Sequence, residues 1–228
     1  MKILYKIVSN FFLLVSPLII LYRIVKGKED TIRFLERYAI RSQKRTKGKL
    51  IWFHCSSVGE FLSVIPILEK LEKEKDIKKI LLSTSTLSSS KIFNKFKFKK
   101  TIHQFYPIDN PLIINKFLDH WKPSSVFFVE SEIWPEMLRI LKFKKIKIFL
   151  LNARISKKSF SKWKNLKKIG IKIFNMFDYI FPQNKETFNY LKYFNVKNIK
   201  ILGNLKFSET EKSDSYKSLS KVFKKRKI

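Results

Sequence analysis

The chain is poor in the residues that usually advertise a site. Among 228 residues it has one cysteine, three histidines, five glycines, seven prolines and 18 Asp+Glu. A lone cysteine, Cys55, excludes a disulfide scaffold and a zinc site built from cysteines alone. So little glycine and proline excludes collagen-like and linker-like chains. No zinc-knuckle, RNP-like or helix-turn-helix signature is present. Against the 18 acidic residues stand 49 Lys+Arg, a formal net charge of +31. Nucleic-acid binding would gather such charge into one face with interleaved aromatics, yet the lysines are spread through every segment. Drift toward Lys, Ile, Asn and Phe, which share A/T-rich codons, or work beside an anionic surface explains the charge as well. No specific nucleic-acid partner is expected. With 45% hydrophobic and 15% aromatic residues, there is ample apolar surface for a core.

Residues 7–22, IVSNFFLLVSPLIILY, are sixteen residues without charge, flanked by Lys2 and Lys6 before and Arg23, Lys26 and Lys28 after. A bilayer core takes about 20 residues of helix, a gap that the flanking cations close by snorkelling. No small-residue cleavage site follows. The segment reads as an anchor, spanning the membrane or lying in its interface, with a buried core helix as the alternative. The heavier basic cluster after it places the remainder of the chain in the cytoplasm. Pro17 requires that some neighbouring group satisfy the carbonyl it frees.

From residue 50 onward short apolar runs alternate with stretches of helical spacing. The expected strands are 50–55, 79–84, 101–106, 125–130, 145–152, 178–182 and 199–202. The expected helices are 57–74, 88–96, 110–121, 132–143, 157–176 and 184–194. Continuous apolar strands between amphipathic helices give an α/β fold with a doubly wound, Rossmann-like parallel sheet, preceded by the hydrophobic anchor helix. Ligands in such folds sit beyond the carboxyl ends of the strands.

The polar residues at those ends are therefore the candidates. After the first strand come His54-Cys55-Ser56-Ser57-Val58-Gly59-Glu60: a serine suits a helix cap, Gly59 allows close approach, and Glu60 either complements the helix dipole or does chemistry. The hydroxyl cluster Ser83–Ser90 suits a phosphate or sugar oxygen, or a cap with a solvated turn. In Glu130-Ser131-Glu132-Ile133-Trp134-Pro135, Glu130 belongs to the strand and needs a partner when buried, and Glu132 is expected to cap the following helix. Asn152-Ala153-Arg154-Ile155-Ser156 offers Arg154 as that partner, and Gly203-Asn204-Leu205-Lys206-Phe207 ends the last strand. Carboxylates and cations in one crevice suit a transfer in which a hydroxyl is deprotonated and attacks an activated donor.

These motifs, with Tyr106-Pro107-Ile108-Asp109 between them, resemble in order and spacing the amino-terminal half of bacterial 3-deoxy-D-manno-octulosonic acid (Kdo) transferases. Leu35-Glu36-Arg37-Tyr38 is similar to a Glu-Arg element of that family. The resemblance runs from the anchor to about Phe207. It implies one half of a two-Rossmann-domain (GT-B), inverting glycosyltransferase at the cytoplasmic face of the inner membrane. That enzyme needs no metal or cofactor and moves Kdo from CMP-Kdo to the lipid A precursor lipid IVA in lipopolysaccharide synthesis. It implies Glu60 as general base, Glu130 as a second functional carboxylate, and Ser57, Gly59, Glu132, Arg154, Ser156, Asn204 and Lys206 as acceptor-binding or supporting residues. Residues 1–28 would be the anchor, 29–207 the acceptor-binding domain, and 208–228 a linker or tail, with the CMP-Kdo site in a carboxyl-terminal half absent from this chain. A non-catalytic, basic, membrane-associated binding protein, a remnant of such an enzyme, is the alternative. Ala39 and Ser89 stand where the family commonly has glycine, which requires that neither backbone position be left-handed.

Overall fold

The structure, a computed structural model, describes residues 2–40 and 43–201. Six strands form one parallel sheet: β1 (Leu50–Cys55), β2 (Lys79–Thr84), β3 (Thr101–Phe105), β4 (Ser125–Val129), β5 (Lys147–Ala153) and β6 (Tyr179–Pro182), in spatial order β3-β2-β1-β4-β5-β6. Ahead of the sheet lie α1 (Lys2–Val25) and a short 3-10 helix (Arg33–Tyr38). The helices between and after the strands are α2 (Val58–Lys73), α3 (Leu87–Phe93), α4 (Pro111–Trp121), α5 (Pro135–Phe143), α6 (Lys157–Asn165), α7 (Lys167–Phe174) and α8 (Lys185–Tyr193).

Side chains alternate across the pleat, and both faces are apolar. Ile51, Phe53 and Cys55 of β1 pack with Phe61, Val64 and Leu68 of α2. Leu50 and Trp52 pack on the opposite face with Phe117 and Trp121 of α4 and Leu138 and Leu141 of α5. The chain thus winds outward from β1 to β3, crosses over through α4, and winds outward again from β4. Adjacent β1 and β4 carry helices on opposite faces, so the carboxyl ends of these two strands form the topological switch point where doubly wound sheets bind ligands.

The strand and helix pattern expected from the sequence is present, with local differences; α3, for one, ends at Phe93 and not at 96. Residues 132–134 are not helical: Pro135 occupies the first turn of α5 and drives Trp134 to an extended ψ of 98°, as the residue before a proline prefers. Lys145 and Ile146 lie in the turn that closes off α5 and not in β5. Lys145 has φ +58°, and the Ile146 N–H closes on the Leu141 carbonyl, a left-handed helix stop. The expected helix 157–176 breaks at Leu166, whose ψ of 38° leaves the helical range. In place of a seventh strand, an isolated bridge joins Ile199 to Ile180 among the described residues; Leu202 lies outside them. Ala39 is left-handed, φ 54° and ψ 28°, contrary to what its side chain requires, whereas Ser89 lies within α3, its N–H donating to the Thr86 hydroxyl that caps the helix.

Helix α1 is long and apolar enough over Ile7–Val25 to cross a membrane. It is no core helix: Phe11, Leu14, Leu18 and Leu21 are all more than half exposed. One polar stripe, Ser9, Ser16 and Arg23, faces the domain, because a seven-residue spacing returns to the same side of a helix every two turns. The Asn110 amide donates to Ser9 Oγ at 3.1 Å, Ser16 Oγ meets Tyr38 Oη at 2.9 Å, and Arg23 Nε donates to Glu29 at 3.0 Å. Ser16 Oγ also donates to the Leu13 carbonyl at 2.7 Å, the acceptor that Pro17 leaves without its helical donor.

Candidate active site

The turn from β1 into α2 builds the first part of the site. Ser57 caps α2, its hydroxyl accepting the Glu60 N–H at 3.2 Å. Glu60, three residues on, turns its carboxylate back over the helix start: Oε2 accepts the Ser56 N–H at 2.7 Å, and Oε1 accepts the Ser57 hydroxyl at 3.2 Å. Such reciprocal pairing stabilises a helix start. Burial nevertheless raises the Glu60 carboxyl to about 7, with Glu132 and Glu130 adding repulsion and the two hydrogen bonds opposing. Gly59 is exposed in the same turn.

The loop after β4 supplies the second part. Glu130 follows the strand with φ +58°, a region that non-glycine residues avoid. It is buried, its N–H donating to the Leu151 carbonyl at 2.8 Å. The Asn152 amide, itself at φ +51°, reaches Glu130 Oε1 at 3.5 Å. Arg154 does not take the expected place as Glu130's cation: its side chain is exposed, the two residues meet through the Arg154 N–H and the Glu130 carbonyl at 3.4 Å, and no ion pair joins them. Nor does Glu132 cap α5. Asp109 takes that role from another loop, its carboxylate accepting the Met137 N–H at 2.9 Å.

Glu132 instead turns into the crevice, where its Oε2 accepts Trp134 Nε1–H at 2.8 Å and His54 Nε2–H at 3.1 Å. Behind His54 runs a chain of donors. Trp52 Nε1–H, which only donates, gives to Ser83 Oγ at 2.8 Å. That hydroxyl lies 3.0 Å from His54 Nδ1, which also stands 3.1 Å from the Ser83 carbonyl; Glu132, a carboxylate that only accepts, requires the imidazole proton on Nε2. We assign the tautomer from this network. Burial lowers the pKa of His54, so the ring is neutral. Burial alone would raise Glu132, but hydrogen bonds from His54, Ser56 and Trp134 hold its carboxyl below the ordinary value. One crevice therefore holds an ionised carboxylate, Glu132, and one poised near neutrality, Glu60. Environments that separate the pKa values of neighbouring carboxyls mark acid and base roles.

The remaining sequence candidates fall differently. Ser156 caps α6 by accepting the Ser159 N–H, and Asn204 and Lys206 lie outside the described residues. The Glu-Arg element forms a buried frame behind the crevice. Arg33 pairs with Glu36, whose other oxygen accepts the Phe105 N–H at 2.8 Å. Arg37 pairs with Glu29 at 3.0 Å and donates to the carbonyls of Ser85 and Tyr106. Sequence reading quoted His54 and Asp109 inside motifs and Ser83 inside the hydroxyl cluster without giving them these contacts, and it did not mark Glu29. For His54 a signal exists, a lone polar ring inside the apolar run LIWFHC; the others touch the site only through contacts distant in sequence. Cys55 is fully buried and burial pushes its thiol up, so it is no nucleophile. Among the described residues no group of three or more His, Cys, Asp or Glu side chains is placed to hold a metal ion.

Residues 32–209 match the family model of 3-deoxy-D-manno-octulosonic-acid transferase (kdotransferase). The chain belongs to the Kdo transferase family. It is 33% identical over 219 residues to a Kdo transferase of Rickettsia bellii, covering 96% of this chain and 52% of that one. It is 40% identical over 152 residues to a probable mitochondrial Kdo transferase of Arabidopsis thaliana, covering 65% and 34% of the two chains. The Aquifex aeolicus Kdo transferase is 34% identical over 166 residues, covering 73% and 42%. The chain thus spans about half the length, or less, of these curated relatives. Among solved structures, UDP-N-acetylglucosamine 2-epimerases of Listeria monocytogenes (described as putative in its title) and Rickettsia bellii superpose with TM-scores of 0.52 and 0.51 at 15% and 16% identity. They cover 69% and 78% of this chain and 45% and 49% of theirs. At such identity the likeness concerns the fold alone, a Rossmann-like half of the GT-B kind, and the Kdo transferase match carries the family.

Proposed function

We propose that this chain supplies the acceptor-binding half and the catalytic base of an enzyme that moves Kdo from CMP-Kdo to lipid IVA. The observation that carries the reading is Glu60, a buried carboxylate at the switch point with its pKa raised to about 7, where a general base works best. Its ionised form takes the proton of a glucosamine hydroxyl as that oxygen attacks the anomeric carbon of Kdo. The bond from that carbon to the CMP phosphate breaks, CMP leaves as an anion needing no protonation, and the configuration inverts. Glu132, kept ionised by His54 and Trp134, raises the basicity of Glu60 without competing for the proton. Glu130 and Asn152 shape the neighbouring wall; Ser57 and Gly59 keep the approach to Glu60 open. Arg154 and Ser156 and, on the family resemblance alone, Asn204 and Lys206 are assigned to binding or supporting the acceptor. No metal or cofactor enters these steps. Helix α1 holds the crevice at the cytoplasmic face of the inner membrane, where lysines and arginines gain about 1 kcal/mol each against anionic lipid.

The test is a transferase assay with CMP-Kdo and lipid IVA, run on the chain alone and with the carboxyl-terminal half of a relative. Lipid IVA binding by the chain and Kdo transfer in the complemented reaction are expected. Absence of both overturns the proposal.

A further inference from the structure

Between α1 and the carboxyl ends of the strands lies a cavity of about 640 Å³, well within the range of small-molecule sites. Its α1 wall runs from Val8 to Arg23, which at 1.5 Å per residue makes it about 22 Å long. The two ends differ in character. Toward the start of α1 it is bounded by Val8, Phe12 and Ile108, with Ile19 and Ile133 further along the walls. At the other end stand Arg23 and Arg37 against a single carboxylate, Glu29. That cationic end opens toward the catalytic crevice. Ser85 lines the cavity, its Oγ lies 3.2 Å from Ser56 Oγ, and the Ser56 N–H holds Glu60 at 2.7 Å. Trp134 likewise lines the cavity and donates to Glu132.

A long apolar trough with two guanidiniums at the end nearest the base matches one occupant, a hydrocarbon chain joined to an anionic head group. We infer that the trough takes one acyl chain of the phosphorylated glycolipid acceptor, so that its head group is drawn past Arg23 and Arg37 to Glu60. This rests on the acceptor being lipid IVA and adds where its chain goes. Helix α1 then meets different lipids on two sides: the inward wall, where Phe12, Ile19 and Ile20 flank the Ser9, Ser16 and Arg23 stripe, takes acceptor, and the outward Phe11, Leu18 and Leu21 meet bulk bilayer.

The experiment uses lipid IVA carrying a diazirine at the end of one acyl chain, and phosphatidylglycerol with the same label, each in phosphatidylcholine vesicles with the full chain. After irradiation, labelled residues are located by mass spectrometry. The lipid IVA probe is expected on Phe12, Ile19 and Ile133 and to be displaced by unlabelled lipid IVA, while the phosphatidylglycerol probe marks the outward residues. In the complemented assay Ile19→Trp, which fills the trough, is expected to raise KM for lipid IVA about tenfold with little change in kcat, and outward Leu18→Trp to change neither. Lipid IVA adducts confined to the outward face, or trough adducts from phosphatidylglycerol that lipid IVA does not displace, overturn the inference. If transfer proceeds normally without trough adducts, this inference alone falls; if lipid IVA is neither bound nor glycosylated, the proposed function falls with it.

Discussion

The loops leaving β1 and β4 enter the same crevice and treat a glutamate differently. After β1 the chain passes directly into α2, so Glu60 sits in the first helical turn and its partners come from its own loop, the Ser56 N–H and the Ser57 hydroxyl. After β4 the residues 130–134 intervene before α5, and Glu132 is free to reach across to β1, where His54 meets it, itself backed by Ser83 and Trp52. Burial, with repulsion from Glu132 and Glu130, lifts Glu60 to about 7 against its two local hydrogen bonds, whereas hydrogen bonds from His54, Ser56 and Trp134 hold Glu132 below the ordinary carboxyl value. A carboxylate held by its own helix start remains basic enough to take a proton; one held by a core network becomes a fixed charge. The proposed function puts a glutamate to work on both loops, and the surroundings divide the work between them.

The most direct way to break this division is Glu60→Gln. Complemented turnover is expected to fall by about 10²- to 10⁴-fold, the usual worth of a general base, with lipid IVA binding retained in a vesicle-binding assay. Normal turnover would remove Glu60 from the mechanism. The same variant has a signature in stability. A carboxyl whose pKa is raised on folding supports the folded state fully below its unfolded value of about 4.5 and loses that support as pH rises through about 7. Between these values the parent protein is expected to lose stability, on the order of 1 kcal/mol or more, and Glu60→Gln to flatten that slope in denaturant titrations at several pH values.

Next in size, His54→Phe keeps a ring against Tyr106, on which His54 stacks at 3.8 Å, but removes the donor to Glu132 and the acceptor for Ser83. Taking one partner each from Glu132 and Ser83, which keep Trp134 and Trp52, is expected to cost about 2 kcal/mol, measured by thermal or chemical unfolding, and to draw the two carboxyls together in pKa. A smaller change sharpens the comparison: Glu132→Gln removes one repulsive charge from beside Glu60. In the complemented reaction kcat/KM of the parent is expected to rise with pH and level off above about 7, because the base must be ionised. In Glu132→Gln that midpoint moves to lower pH. An unmoved midpoint would mean that the two carboxyls do not sense one another.

Local pattern made the sheet legible, and its absence hid the network. The strands LIWFHC and KILLST are apolar runs bounded by polar residues, and both coincide with the expected boundaries; their order and switch point follow from α/β alternation. Glu60 and Glu130 could be placed at strand ends for the same reason. What Glu132 and Arg154 do could not be read, since it depends on which loop crosses which: Asp109 took the α5 cap that Glu132 was expected to provide, and Asn152 the approach to Glu130 expected of Arg154. The start of α5 was legible after all, because Pro135 forbids helix at Trp134. The break at Leu166 has no such marker.

The least effect is expected where backbone strain lies outside the crevice. Ala39 and Glu130 are both left-handed, φ 54° and 58°, and each pays about 1 kcal/mol for a Cβ in that region. Ala39 ends the 3-10 helix, with its N–H on the Glu36 carbonyl, and its methyl takes no part in the site. Glycine there relieves the strain but gives up a methyl buried in the core, worth about 0.8 kcal/mol, and adds freedom to the unfolded chain, so Ala39→Gly is expected to change stability by less than about 1 kcal/mol, with turnover unchanged. Glu130→Gly relieves the same strain on the β4 loop but deletes a buried carboxylate that belongs to the proposed site. It is expected to transfer Kdo more slowly, with the relieved strain offset by the loss of the contact between the buried carboxylate and Asn152. Strain that is removable at no functional loss at Ala39, and only with loss at Glu130, would separate the scaffold from the site within one chain. If Glu130→Gly keeps full turnover, the left-handed turn after β4 serves packing alone, and the division of labour reduces to Glu60 and Glu132.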